Sequence, residues 1–200
     1  MTEIKIFNRW DIKNVNVSDK GLKNYINLKP LIIPRNYGRH AKHQFHKSQV
    51  NIVERLLTHL FIPGHRGKRH HLTSGKAAGK TLTGFNVLID TFKIIEERTK
   101  KNPIEVLVRA IENSALREEI TSFQVGGIIV RKAVITAPQR RVDLALRLIV
   151  QGAYQKSFNN RLTMAEALAN EITAAYNNDP QTSYSLREKE RIEREAGGAR

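Results

Sequence analysis

Apolar residues recur at helical spacing in five stretches of this chain, and that rhythm breaks only once. The first stretch predicts a helix capped by Ser48 and running to about Phe61, with Val50, Val53, Leu56, Leu57 and Leu60 on one face. Pro63-Gly64 stops it. A second helix, about 83–98, carries Phe85, Leu88, Ile89, Phe92 and Ile95. Asn102-Pro103-Ile104-Glu105 is a strong start for a third, with Ile104, Leu107, Val108 and Ile111 inward. Then the period changes. Residues 122–137 (SFQVGGIIVRKAVITA) are rich in Val and Ile without a helical stripe. They predict a hairpin with Arg131-Lys132 at its tip. Helical spacing resumes at 139–156, with Val142, Ala145, Leu146, Ile149 and Ala153 inward. Thr163-Met164-Ala165-Glu166 is a capping box opening a fifth helix to about Tyr176. A charged helix over 184–196 follows Pro180. The fold class is therefore mainly α: a helical bundle of about six helices with an inserted β-hairpin ribbon. At roughly 1.5–3 kcal/mol per buried large side chain, these stripes can sustain one core.

The segments outside the stripes are of another kind. Residues 1–34 read as an N-terminal extension of little regular structure, closed by Pro30 and Pro34. Residues 35–200 read as a single domain, with a basic arm at 35–47 and a basic loop at 62–80 that has too few apolar residues to bury itself. Cysteine is absent, which excludes disulfides, thiolate metal sites and a cysteine nucleophile. No apolar run reaches the ~20 residues that span a bilayer, and the first residues lack a signal-peptide core. The expected location is cytoplasmic, with no membrane partner.

Charge then narrows function. The net charge is +15, with a pI near 10.3. Residues 35–80 hold net +9 and residues 121–162 net +6, so two blocks contain the whole excess. Interspersed signs would serve solubility as well; clustered cations point to a polyanion. The blocks lack the apolar face of an interfacial helix. Basic residues in a helix bundle with a ribbon therefore predict a polyanion-binding domain over 35–200, with a nucleic acid as the first candidate partner.

Catalytic and metal chemistry find little support. Gly75-Lys76-Ala77-Ala78-Gly79-Lys80-Thr81 is one residue short of a phosphate loop and follows no strand. Its Lys76 and Lys80 suit phosphate contact on a nucleic acid. All seven histidines fall between His40 and His71, among cations that would repel a metal, and read as hydrogen-bonding and stacking groups on an RNA-facing surface. Glu96, Glu97, Glu118 and Glu119 read as exposed helical charges, and no acid/base pair stands out. No enzyme activity, cofactor, metal or small-molecule substrate is expected. Arg140 and Arg141 open the fourth helix, with Arg147 on the same face as Arg140 and Lys156 and Arg161 at the far end. Cations at a helix start oppose its dipole, a cost that a nearby phosphate would relieve.

Particular strings carry a resemblance. SQVNIVERL, GKTLT, NPIEVLVRAIENSALRE, VGGIIVRKAVITAPQRRVDLALRLI, RLTMAEALANEITAAY and SYSLREKERIEREA occur in order, with Gly38-Arg39 in the arm. Over residues 20–200 the chain resembles the small-subunit ribosomal protein seven family, in its archaeal and eukaryotic branch. The resemblance implies a structural constituent of the small ribosomal subunit. Such a protein binds the 3′ major domain of small-subunit rRNA, nucleates head assembly, and lines the mRNA exit and exit-site tRNA region beside neighbouring head proteins. By position it implies rRNA contacts at Arg35, Arg39, Lys42 and Lys47 in the arm. It implies further contacts at Arg66, Lys68, Arg69, Lys76, Gly79 and Lys80 in the loop, and at Arg140 and Arg141 at the hairpin base. Arg147, Lys156 and Arg161 extend that set along the fourth helix. Arg131 and Lys132 would face tRNA and mRNA. The alternative reading is a DNA-binding regulator of winged-helix type, although no compact helix-turn-helix precedes the ribbon.

Overall fold

The computed structural model describes residues 4–63 and 77–199. Among these described residues, six α-helices and one two-stranded antiparallel sheet follow in chain order: α1 Ile52–Leu60, α2 Thr81–Thr99, α3 Pro103–Ser114, β1 Glu118–Val125, β2 Ile128–Ile135, α4 Pro138–Ser157, α5 Met164–Tyr176 and α6 Tyr184–Gly197. The expected bundle with an inserted ribbon is what forms.

Local chemistry sets most boundaries. The Asn102 side chain accepts from the Ile104 amide with Pro103 in the first turn of α3. The Thr163 and Glu166 capping box is complete in both directions and opens α5. Ser183 caps α6 by accepting from the Leu186 amide. Ser48, however, does not cap α1. Residues His46–Gln49 form a 3-10 turn, and the Asn51 side chain caps instead, accepting from the Val53 amide at 2.9 Å.

α5 lies at the centre, against α2, α3, α4 and α6. Ala165, Ala167, Ala169, Ala174 and Ala175 are buried on it, and such small side chains let several helices approach at once. Phe92, Leu107, Ile111, Leu146, Ile149, Leu168 and Ile172 fill the space between. Residues 4–34 form no helix, only turns and isolated bridges, Ile6 with Trp10 and Asn27 with Asn51. Their side chains nevertheless enter the same core: Ile6, Trp10, Ile12, Val15, Leu22 and Ile26 are buried. The Trp10 ring meets Phe92 edge-on at 5.3 Å, and its Nε1 donates to Glu96 at 3.0 Å.

The ribbon departs from expectation in two ways. It begins earlier, at Glu118, so Glu118 and Glu119 are strand residues rather than helical charges. Its tip is Gly126-Gly127, not Arg131-Lys132. Val125 pairs with Ile128, leaving two turn residues at φ 55° and 87°. Only glycine takes that left-handed pair at no steric cost, so the chain reverses there. Arg131 and Lys132 lie midway along β2, opposite Ser122 and Thr121. Adjacent strand residues point to opposite faces, so these two cations flank the ribbon on either side. The ribbon base rests on α6: the Arg117 amide donates to Glu193 at 2.9 Å, and the Ala133 amide to the Ala199 carbonyl at 3.4 Å.

Candidate nucleic-acid interface

The arm contains no acidic residue from Arg35 to Val53. It is built from two 3-10 turns, Arg39–Lys42 and His46–Gln49. Tyr37, Gly38 and Phe45 take φ of 54°, 77° and 61°. Glu54 of α1 fixes the arm's start by accepting from the Asn36 amide at 2.5 Å. Burial pushes the Glu54 carboxyl up, against the opposing pull of that amide, His40 and Arg35. The Arg35 guanidinium stacks over the Tyr37 ring, 4.4 Å from its centroid. His43 and His46 stand ring to ring at 4.6 Å.

The end of the arm is clamped to the bundle. Asp143 of α4 accepts from Lys47 Nζ at 2.9 Å and from Arg55 Nη2 at 2.8 Å. Arg55 is 1% exposed and also donates to the Tyr25 carbonyl at 2.8 Å. Burial alone would raise the Asp143 carboxyl, but the hydrogen bonds and charges of Arg55 and Lys47 outweigh it and hold the carboxyl below its ordinary value. Around this clamp lies a groove of about 620 Å³ lined by Phe45, Lys47, His59, Arg140, Leu144, Arg147 and their neighbours. Arm, α1 and α4 thus bring cations from both basic blocks to one place.

His59 in this groove is pushed down to about 4, first by burial and then by Lys47, Arg55 and Arg147, with Asp143 opposing. Its folded value lies below the unfolded 6.5, so the unfolded chain takes the proton first. Stability is complete above the unfolded value and falls with pH by up to about 1.4 kcal/mol per unit toward the folded one. His59→Gln is expected to flatten that loss. The urea midpoints of both proteins at about pH 7 and about pH 5 measure it, and parallel losses would contradict it.

The predicted contact residues separate into two groups. Arg140 is paired bidentately with Glu119 at 2.6 and 2.7 Å. Arg141 donates to the Leu116 carbonyl and to Asp19, both at 2.8 Å. The cost of cations at the start of α4 is thus met inside the protein. Lys156 Nζ is held by Glu171 and the Thr182 carbonyl, both at 2.7 Å. Lys47 belongs to the clamp. By contrast, no ion pair among the described residues involves Arg35, Arg39, Lys42, Lys80, Arg131, Lys132, Arg147 or Arg161, and all eight are exposed. Gly79, at φ 73°, and Lys80 lead into α2. Arg66, Lys68, Arg69 and Lys76 lie outside the described residues.

Two surface residues escaped sequence reasoning. Tyr37 and Phe45 are 74% and 76% exposed in the middle of the arm. The signal was present: large rings in a segment with no helical or strand period have no core to enter. Among the described residues no three His, Asp or Glu side chains converge to hold a metal ion. Nor is any described helix long and apolar enough to cross a membrane.

Comparison with known proteins shows the family to which the chain belongs. Residues 22–200 match the model of the family described as ribosomal protein S7p/S5e. Over 198 residues the chain is 49% identical to the small ribosomal subunit protein uS7 of Nanoarchaeum equitans, covering 99% of this chain and 100% of that protein. Over 197 residues it is 45% identical to the small ribosomal subunit protein uS7 of Methanothrix thermoacetophila, covering 98% and 100% respectively.

Proposed function

We propose that this chain, which belongs to the ribosomal protein S7p/S5e family, works by neutralising phosphates of folded rRNA with cations mounted on a rigid bundle. It is a ribosomal protein of the small subunit, a structural constituent and not an enzyme. Its ligand in this reading is the 3′ major domain of small-subunit rRNA, whose docking nucleates assembly of the head. The observation that carries the reading is the division of the cations. Arg35, Arg39, Lys42, Lys80, Arg147 and Arg161 form no ion pair among the described residues, whereas Lys47, Arg140, Arg141 and Lys156 are tied into the fold. The free group supplies phosphate contacts, and the tied group positions the surfaces that carry them. By sequence position alone, the basic loop residues Arg66, Lys68, Arg69 and Lys76 are further phosphate contacts in this reading, with Gly79 at φ 73° leading into α2. Residues 35–200 form the RNA-binding unit, and residues 1–34 are an extension that braces it.

The ribbon takes the second role. It lines the mRNA exit and exit-site tRNA region, with Arg131 and Lys132 on its two faces rather than at its end. An isolated two-stranded ribbon is marginal in water. Phe123, Val125, Ile128 and Ile129 are 45–70% exposed on it, which supports cover by RNA and neighbouring head proteins in the assembled subunit.

The test is a salt titration of binding to 3′ major domain RNA. Replacing Arg39, Lys42 and Arg147 together by Ala is expected to lower the log–log salt slope by roughly 2–3, at about 0.7–0.9 per lost phosphate contact. The thermal midpoint should hold, because none of the three forms an ion pair among the described residues. An unchanged slope would remove these sites from the interface.

A further inference from the structure

We propose that Tyr37 and Phe45 are stacking platforms for unpaired RNA nucleotides, and that the groove beside Phe45 receives one of them with its phosphate on Arg147. The inference rests on the RNA-binding reading above and names what the arm recognises.

Four observations converge on it. The two rings are 74% and 76% exposed, although burial of an aromatic ring is worth more than that of most side chains. Both residues hold left-handed backbone, φ 54° and 61°, which is costly for a bulky side chain and is typically kept where it serves a site. Cations stand beside both rings, and the nearest acids are committed within the fold, Glu54 to the Asn36 amide and Asp143 to Lys47 and Arg55. Arg35 covers one side of the Tyr37 ring at 4.4 Å, so a base on its open side would complete a cation–ring–base stack. Phe45 lines the same groove as Leu144, Arg140 and Arg147. Arg140 is committed to Glu119, while Arg147 is exposed without an ion pair among the described residues, so Arg147 is the available phosphate donor.

The chemistry selects single strands. In an A-form duplex every base is already stacked on its neighbours, and side chains reach only phosphates, 2′-hydroxyls and the shallow groove. A ring on an extended arm gains contact only with a base that is splayed out. Stacking also differs from phosphate pairing in its salt dependence: it displaces no counterion. The arm therefore has two separable components, cations that set the salt slope and rings that set the preference for unpaired RNA.

The experiment uses the full chain and two probes, an oligouridylate and a blunt RNA duplex of equal phosphate count. Tyr37→Leu and Phe45→Leu are each expected to weaken oligouridylate binding about tenfold at fixed salt, leaving the salt slope unchanged. Duplex binding should stay within about twofold. Tyr37→Phe and Phe45→Tyr keep a ring and should bind like the parent. Both rings are exposed, so an unchanged thermal midpoint verifies that each variant is folded. Equal losses on both probes, a slope that falls with the ring, or no loss at all would overturn the proposal. If the parent protein ignores both probes and the 3′ major domain RNA alike, the RNA-binding reading fails and takes this inference with it. If the parent binds and ring removal has no effect, the inference alone fails.

Discussion

Asp143→Ala is expected to destabilise the protein by about 3–5 kcal/mol, a large share of the stability of a domain of this size. The guanidinium of Arg55 is almost wholly buried, and Asp143 is its carboxylate partner. Removing the acid strands a buried cation whose remaining hydrogen bond goes to the neutral Tyr25 carbonyl. The same change releases Lys47 and with it the end of the arm, whose start stays on Glu54. A denaturant titration measures the loss; a change below about 1 kcal/mol would show that solvent compensates Arg55. Replacing Arg55 by Met and Asp143 by Leu together should recover much of the stability, because a well-packed apolar pair avoids the desolvation cost. Acid acts in the same direction. The folded Asp143 carboxyl is held below its ordinary value, so its contribution is present above the unfolded pKa and is lost as pH falls through the folded one.

Glu171→Ala is the second large effect. Glu171 is fully buried in α5 and accepts from Lys156 Nζ at 2.7 Å, Ser183 Oγ at 2.8 Å and the Ser185 amide at 2.9 Å. Ser185 Oγ extends the network to Ser183 and Ser114 at 2.9 and 3.0 Å. The site is tight: a Cβ added at Gly152 would lie 2.7 Å from Tyr184 Cβ and 3.0 Å from Glu171 Cδ. Losing the carboxylate leaves buried donors unpaired at about 1–3 kcal/mol each. A total loss of about 3–5 kcal/mol is expected, concentrated at the docking of α6. Hydrogen exchange of the α6 amides, compared with those of α3, would detect it as early opening of α6. Uniform acceleration across both helices would mean that Glu171 supports the whole bundle instead. Glu171→Gln keeps one acceptor and should fall between.

Much of this architecture was legible because its signals are local. Thr163 and Glu166 are three residues apart and satisfy each other, so the start of α5 could be read directly. Asn102-Pro103 is equally self-contained. The start of α1 was not. Ser48 and Asn51 are both competent caps, and the choice falls to Asn51, whose Nδ2 donates to the Lys29 carbonyl at 2.9 Å across the chain. At the ribbon, a polar Arg-Lys interruption looked like a turn, yet the reversal needed positive φ, which Gly126-Gly127 provide. The interface divides likewise. That cations cluster at 35–80 and 121–162 is a matter of counting. Which of them are free depends on acids far away in sequence: Asp19 is 122 residues from Arg141, and Asp143 is 96 from Lys47. No local pattern encodes those pairings.

The burial of the N-terminal segment against late elements has a consequence for synthesis. Trp10 needs Phe92 and Glu96, Ser18 and Asp19 need Glu112, and Asp19 needs Arg141. At about 5–20 residues per second, the interval between translating Asp19 and Arg141 is roughly 6–24 seconds. Until that wait ends the first segment lacks part of the surface it settles on, and the cationic arm emerges before the acids that restrain it. The nascent chain is therefore born adhesive to polyanions and becomes selective only when α4 leaves the ribosome that is making it.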